Sequence, residues 1–286
     1  MQYETPSKSL TFDSFVPSSG NMAASQMAIL MAEKGNLLSG EALLYVYGDR
    51  GVGKTHLLNA IANAAAVRFD AVLADVKKVL KKSEETWEKG EQVDLGQSLI
   101  DPDLLLLDNI DASAEHEQFQ SVLLGVVENR LSAGLGVVVA SRVPPSGLKI
   151  FRSEYEQLLG TGRIVRVDWV DRDCQALILR NLVGKGNLSD DILDAVLDQR
   201  VRDGHSLRAW AVGLRGKIQI SRLLSQLGYS LKSARRTETN RGLYLISRWH
   251  MELEGRAHVV DVVYSARSRS VVTRCWCLLG NYHATP

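Results

Sequence analysis

Apolar residues in this chain fall into short unbroken runs separated by stretches with helical spacing. Residues 42–47 (ALLYVY), 103–108 (DLLLLD), 136–141 (GVVVAS) and 164–170 (IVRVDWV), with a shorter run at 71–74, read as strands. An apolar run without alternation is what a strand covered on both faces requires. Residues 20–34 read as a helix that Asn21 can cap, with Met22, Met27, Leu30 and Met31 at helical spacing. Helices are also expected over 56–66 and 115–132, and in part over the charged segment 77–97. Strands alternating with helices predict an α/β domain: a parallel sheet with helices on both faces.

From residue 171 to about 227 the pattern is helical throughout, which predicts a small all-helical lid domain. The organisation expected is a polar linker (1–20), an α/β domain (21–170), a helical lid (171–228) and a tail (229–286). Within the tail, helices are expected near 241–252 and 270–279. No internal repeat is visible.

Net charge is +1, so no global basic field announces a nucleic-acid partner. The distribution is uneven: residues 230–286 hold nine Lys/Arg against four Asp/Glu, leaving 25 against 29 in residues 1–229. A mildly acidic body therefore carries a basic tail. Cys174, Cys275 and Cys277 are too few for a disulfide framework. Cys275 and Cys277 form C-x-C with no second ligand pair beside them in sequence, which favours reduced thiols over a zinc site. The start of the chain lacks a signal-peptide pattern and no run is long enough to span a membrane, so a cytoplasmic protein is expected.

Residues 48–55 (GDRGVGKT) fit G-x-x-x-x-G-K-[ST] in full, after a buried strand and before a helix. In that setting the backbone N–H groups of a glycine-rich turn and of the helix N-terminus converge on phosphate oxygens. The residues assigned to nucleotide are Gly48, Asp49, Arg50, Gly51, Val52, Gly53, Lys54, Thr55 and His56, with Lys54 on the β- and γ-phosphates. Thr55 would hold Mg²⁺, and Asp108, at the end of its strand, would bind the ion through water. Asn109 follows Asp108; an amide cannot accept a proton as a general base, although it can orient water. Ser141 ends the next strand, within reach of a γ-phosphate or lytic water by this reading. Arg208, in residues 204–210 (GHSLRAW), could close the lid over nucleotide. Robust binding and slow hydrolysis are expected.

Residues 10–21 (LTFDSFVPSSGN), 43–63 (LLYVYGDRGVGKTHLLNAIAN), 104–111 (LLLLDNID) and 137–145 (VVVASRVPP) resemble, in that order, the AAA+ core of DnaA-type bacterial replication initiators. The regulatory relative Hda shares that core. The resemblance implies an AAA+ P-loop fold and an ATP or ADP cofactor with Mg²⁺. It also implies Walker A at Gly48 to Thr55, Walker B at Asp108, sensor I at Ser141 and sensor II at Arg208. Asn109 is similar to the Asp-Asn pair of Hda-like proteins rather than the Asp-Asp of initiators. The family places its arginine finger just before a turn like residues 160–163 (GTGR); here Glu154 and Leu158 occupy those positions, with Arg152 nearby. Residues 266–274 (ARSRSVVTR) faintly resemble part of the initiators' DNA-binding domain, without the segment that reads the DNA box. Residual phosphate contact by Arg267, Arg269 and Arg274, or a degenerate terminus, are both open.

Three functions follow from the resemblance. One is a nucleotide-switched regulator docking on a DnaA-type initiator or other replication protein. Another is a DNA-binding initiator in its own right. The third is a DnaC-like loader ATPase.

Overall fold

Leu43, Leu44, Tyr45 and Val46 are all fully or almost fully buried, as a strand with helices on both faces must be. They form β1 (Leu43–Tyr47), an inner strand of a five-stranded parallel sheet in the order β2-β3-β4-β1-β5. The computed structural model describes residues 4–37, 41–89, 97–148, 153–184, 188, 190–198, 203–226, 238–239, 243–253, 256–265, 270–277 and 281–283. The other strands of this sheet are β2 (Ala71–Asp75), β3 (Leu104–Asp108), β4 (Gly136–Ser141) and β5 (Arg163–Arg166). The α/β class expected from the apolar runs is the fold observed.

Alternate strand residues enter two cores. Leu44, Val46, Leu104, Leu106 and Val138 pack with Met31 of α1 (Met22–Lys34) and with Leu57, Leu58 and Ile61 of α2 (Lys54–Ala65). Leu43, Tyr45, Leu105, Leu107 and Val139 pack with Leu80 of α3 (Val76–Trp87), and also with Phe119, Leu123 and Val127 of a later helix (Glu117–Ser132). That later helix is α5; the single turn α4 (Gln97–Ile100) precedes β3. Each apolar strand thus contributes to both layers, which explains why its sequence does not alternate.

Arg130 of α5 is fully buried and donates to the carbonyls of Leu99 (3.2 Å), Ile100 (2.7 Å) and Gly136 (3.0 Å). One guanidinium fork thereby satisfies backbone acceptors from α4 and the start of β4. After β4 come α6 (Ser153–Gly160), α7 (Arg172–Val183), α8 (Asp190–Leu197) and α9 (Gly204–Gln226). Arg172 pairs with Asp194 at 3.0 Å and Asp198 at 2.9 Å, tying α7 to α8. No described helix is long and apolar enough to cross a membrane.

The chain divides into two compact units: residues 1–181 with 191–207, and residues 182–190 with 208–286. The second unit corrects the expectation of helices near 241–252 and 270–279. The described parts of those stretches, 243–252 and 270–277, lie in an antiparallel sheet ordered β10-β9-β8-β7-β6. Its strands are β6 (Glu238–Thr239), β7 (Leu243–Leu253), β8 (Arg256–Ser265), β9 (Ser270–Cys277) and β10 (Asn281–His283). Val, Tyr, Trp and Thr are frequent in these runs, and such residues favour a pleated sheet over a helix. A one-residue register shift between Leu245 and Ser247 interrupts the alternation in β7 and masks its period of two.

Candidate nucleotide-binding site

β1 ends at Tyr47, and the chain turns through residues 48–53 into α2. Two glycines make the turn possible. A Cβ on Gly48 would lie 2.1 Å from the Val167 carbonyl oxygen. Gly53 caps α2 with φ 115°, a conformation side chains disfavour, and Phe15 packs over it. Parallel pairing brings the ends of four strands to one edge: Tyr47 is in register with Ser141, and Asp75 with Asp108. The Gly48 N–H donates to the Ser141 carbonyl at 3.2 Å, fixing the loop to β4. Ligands of open α/β sheets collect at this carboxyl edge.

Lys54 is buried, and its Nζ donates to the carbonyls of Gly48 at 2.6 Å and Asp49 at 2.7 Å. Burial lowers its pKa, opposed by the fields of Asp108, Asp111 and Asp49. Thr55 Oγ1 donates to Asp108 Oδ2 at 2.7 Å. Burial raises the Asp108 pKa, while the Thr55 hydroxyl and the Asn109 N–H stabilise its charge. A hydroxyl facing a carboxylate, beside a buried ammonium and a glycine turn, fits the donor set that magnesium and nucleotide phosphates require.

Asn109 is the one described non-glycine residue with positive φ (59°). Its side-chain amide donates to Asp75 Oδ1 at 3.1 Å. Asp75 also caps α3 by accepting from the Lys77 N–H. Ser141 is buried, with its Oγ 3.5 Å from Asp111 Oδ1. Asp111 accepts from the Arg142 backbone N–H at 3.0 Å and from Arg142 Nε at 2.5 Å. Asp75, Asp111 and Arg142 went unremarked in sequence; the only signal was a carboxylate two residues after Asn109 and another ending the neighbouring strand.

His56 does not face an open surface. Its Nε2 donates to the Thr11 carbonyl at 3.0 Å and lies 3.1 Å from Ser14 Oγ, with Phe15 edge-on to the ring at 5.3 Å. Asn59 accepts from the Ser7 N–H, and Asn63 donates to the carbonyls of Ser7 and Leu10. His56, Asn59 and Asn63 lie at helical spacing, so one face of α2 holds residues 7–15 beside the glycine-rich loop.

The start of α9 also meets the loop. The Gly204 N–H donates to the Gly51 carbonyl at 3.0 Å, and a Cβ on Gly51 would lie 2.7 Å from Asp203 Cβ. Asp203 caps the helix by accepting from the Ser206 N–H at 2.7 Å. Arg208 follows one helical turn after Gly204 and is exposed, as are Asp49, Arg50 and Thr55. Glu154 is exposed on α6 and Leu158 packs against the core; Arg152, Arg267 and Arg269 lie outside the described residues.

Residues 7–166 match the model of the bacterial DnaA ATPase domain. This chain belongs to that family. The relatives similar to this DnaA-family chain include the chromosomal replication initiator protein DnaA of Mycobacteroides abscessus, 25% identical over 78% of the chain and 48% of that protein. The same protein of Acholeplasma laidlawii is 25% identical over 79% of the chain and 53% of its own length. The chain thus spans about half the length of these relatives. Domain III of Thermotoga maritima DnaA superposes with a TM-score of 0.66 at 21% identity, over 80% of this chain and 94% of that one. A replication initiator DnaA bound to AMPPCP and single-stranded DNA gives 0.64 at 21% identity, over 79% and 70%. At these identities the superpositions show that the DnaA-family sequence carries the DnaA ATPase fold.

Proposed function

We propose that this DnaA-family chain binds ATP or ADP with Mg²⁺ and acts as a nucleotide-switched regulator or assistant of chromosomal replication initiation, with slow or no hydrolysis. The observation that carries this reading is the pairing of Thr55 with Asp108 beside buried Lys54, while Asn109 directs its amide to Asp75. Lys54 holds the β- and γ-phosphates, the N–H groups of Gly51, Gly53 and Thr55 line the cradle, and Thr55 and Asp108 hold the ion. Bound magnesium neutralises phosphate charge. Asn109 supplies no base, and α6 presents Glu154 where an arginine would stabilise charge on a neighbour's nucleotide. Arg208, one turn into α9, reports occupancy to the lid. The partner is a DnaA-type initiator or another replication protein, and the relatives are themselves chromosomal replication initiators.

The test is the nucleotide retained on purification, with its turnover rate. Trapped ADP or ATP with turnover near background is the expected result; brisk turnover overturns the slow-hydrolysis reading. Lys54→Ala removes a buried charge-assisted contact of about 1.5–3 kcal/mol, so affinity for a fluorescent adenine nucleotide falls at least roughly tenfold. An unchanged affinity sinks the binding site itself.

A second reading, direct contact with DNA, is favoured by α3, whose Lys77, Lys78, Lys81 and Lys82 are all exposed. Lys78 also pairs with Glu4. Phosphate contact there is sequence-indifferent and salt-sensitive. Replacing the lysines by Gln abolishes single-strand binding under this reading and leaves nucleotide affinity intact.

A further inference from the structure

The carboxyl end of β4 carries a charged pair that the nucleotide reading leaves unused. β4 lies between β3, which ends on Asp108, and β1, which runs into the glycine-rich turn. A side chain leaving the end of β4 therefore stands between the Thr55–Asp108 pair and that turn. Ser141 and Arg142 occupy this place.

The backbone there is held from several directions. Asp111 accepts from the Arg142 N–H at 3.0 Å, the Ser141 hydroxyl from the Val143 N–H at 3.2 Å, and the Val143 carbonyl from the Tyr45 hydroxyl at 3.0 Å. The Ser141 hydroxyl is thus engaged within the turn. Arg142 differs. Its Nε donates to Asp111 Oδ2, yet its side chain is 64% exposed where that of Asp111 is only 11% exposed. A carboxylate fixed in the turn therefore aims an exposed guanidinium. Both charges act on the Lys54 ammonium: burial lowers its pKa most, Asp108 and Asp111 oppose that, and Arg142 adds to it.

We propose that Arg142 is a triphosphate-selective residue, whose guanidinium exchanges Asp111 for the γ-phosphate of bound ATP and finds no such group on ADP. The inference rests on nucleotide binding at Lys54, Thr55 and Asp108 as proposed above. Thr55 and Asp108 hold the ion that links the β- and γ-phosphates, so the γ-phosphate lies on the Asp108 side of the turn, toward the end of β4. An exposed ion pair is weak and screened by solvent. A guanidinium meets phosphate oxygens through parallel charge-assisted hydrogen bonds, which are stronger. The exchange therefore favours phosphate where a γ-phosphate is present, and Asp111 recovers the guanidinium where it is not. Contact with the ground-state nucleotide tightens binding without accelerating cleavage, in keeping with slow turnover.

The experiment measures Kd of the full chain, with magnesium, for fluorescent ADP and for a fluorescent ATP analogue whose β–γ bridge cannot be cleaved. Arg142→Ala keeps the backbone N–H that Asp111 accepts. It is expected to weaken the triphosphate roughly tenfold while ADP stays within about twofold of the parent. Asp111→Asn removes the competing charge and should shift the preference toward the triphosphate. A merely structural role for Arg142 would weaken both nucleotides together. A parent that binds both nucleotides, with the same preference in Arg142→Ala, overturns this inference and leaves the binding reading standing. Equal weakening of both nucleotides by Arg142→Ala, or a shift toward ADP in Asp111→Asn, does the same. A parent that binds neither nucleotide overturns the binding reading and this inference with it.

Discussion

At the carboxyl edge of the first sheet, Asp108 is held in a low-dielectric setting with a Thr55 hydroxyl on one oxygen and the Asn109 N–H on the other. Burial is the larger influence and raises its pKa, with the Asp75 carboxylate adding to the rise. A raised carboxyl pKa means that the folded protein binds this proton more tightly than the unfolded chain does. The cost of ionising Asp108 is absent below the unfolded value near 3.8 and develops as pH rises from there through the folded value. Asp108→Asn should therefore raise the melting temperature of the nucleotide-free protein at pH 7, with the gain vanishing below about pH 4. Magnesium-dependent nucleotide affinity should fall roughly 10–100-fold in the same variant. Melting scans across pH, paired with a magnesium titration, check both halves. Lys54, Thr55 and Asp108 were legible in sequence because covalent spacing in a loop and the end of an apolar run fix them. Asp75 was not, because only strand register sets it beside Asp108 and Asn109.

Among the elements, α5 shows how little periodicity says about a polar residue's place. Arg130 sits in the last turn of an exposed-looking helix sequence yet is fully buried, donating to three backbone carbonyls. Arg130→Met leaves those acceptors without their donor, and each orphaned buried group costs about 1–3 kcal/mol. Partial relaxation limits the total, so a loss of about 3 kcal/mol is expected by urea denaturation, with nucleotide affinity little changed at permissive temperature. A loss under roughly 0.5 kcal/mol would show that water replaces the guanidinium. The polar segment 1–20 is a second case. It reads as a linker by composition, yet residues 7–15 are fastened to α2 through His56, Asn59 and Asn63. The hydrogen bonds that fasten it are to side chains far along the chain, and no local period reports them.

For the molecule as a whole, one chain carries two sheets built on different rules. The first is parallel and covered on both faces, so its strands are apolar throughout and stand out in sequence. The second is an antiparallel meander whose strands mix charge, aromatic and β-branched residues. β8 is its central strand, so a proline there removes ladder bonds to a neighbour. Val262→Pro should abolish the antiparallel-sheet signal in the infrared spectrum while nucleotide affinity stays at the parent value. Loss of affinity in that variant would show that the two units fold as one.

Sequence by itself determined the parallel α/β core, the glycine-rich turn between β1 and α2 and the DnaA-family membership. Each depends on contiguous residues whose spacing is set by covalent geometry and whose burial is uniform. Tertiary structure alone decided what met across strands and turns. Asp75 reached Asn109, Asp111 reached Ser141 and Arg142, and the first residues reached α2. Those meetings depend on register, and shifting a strand by one residue reverses the face of every side chain. Hydrophobic patterning fixes register where one face is buried against the other; in the mixed strands of the tail it leaves several pairings open, and the long-range hydrogen-bond ladder chooses among them.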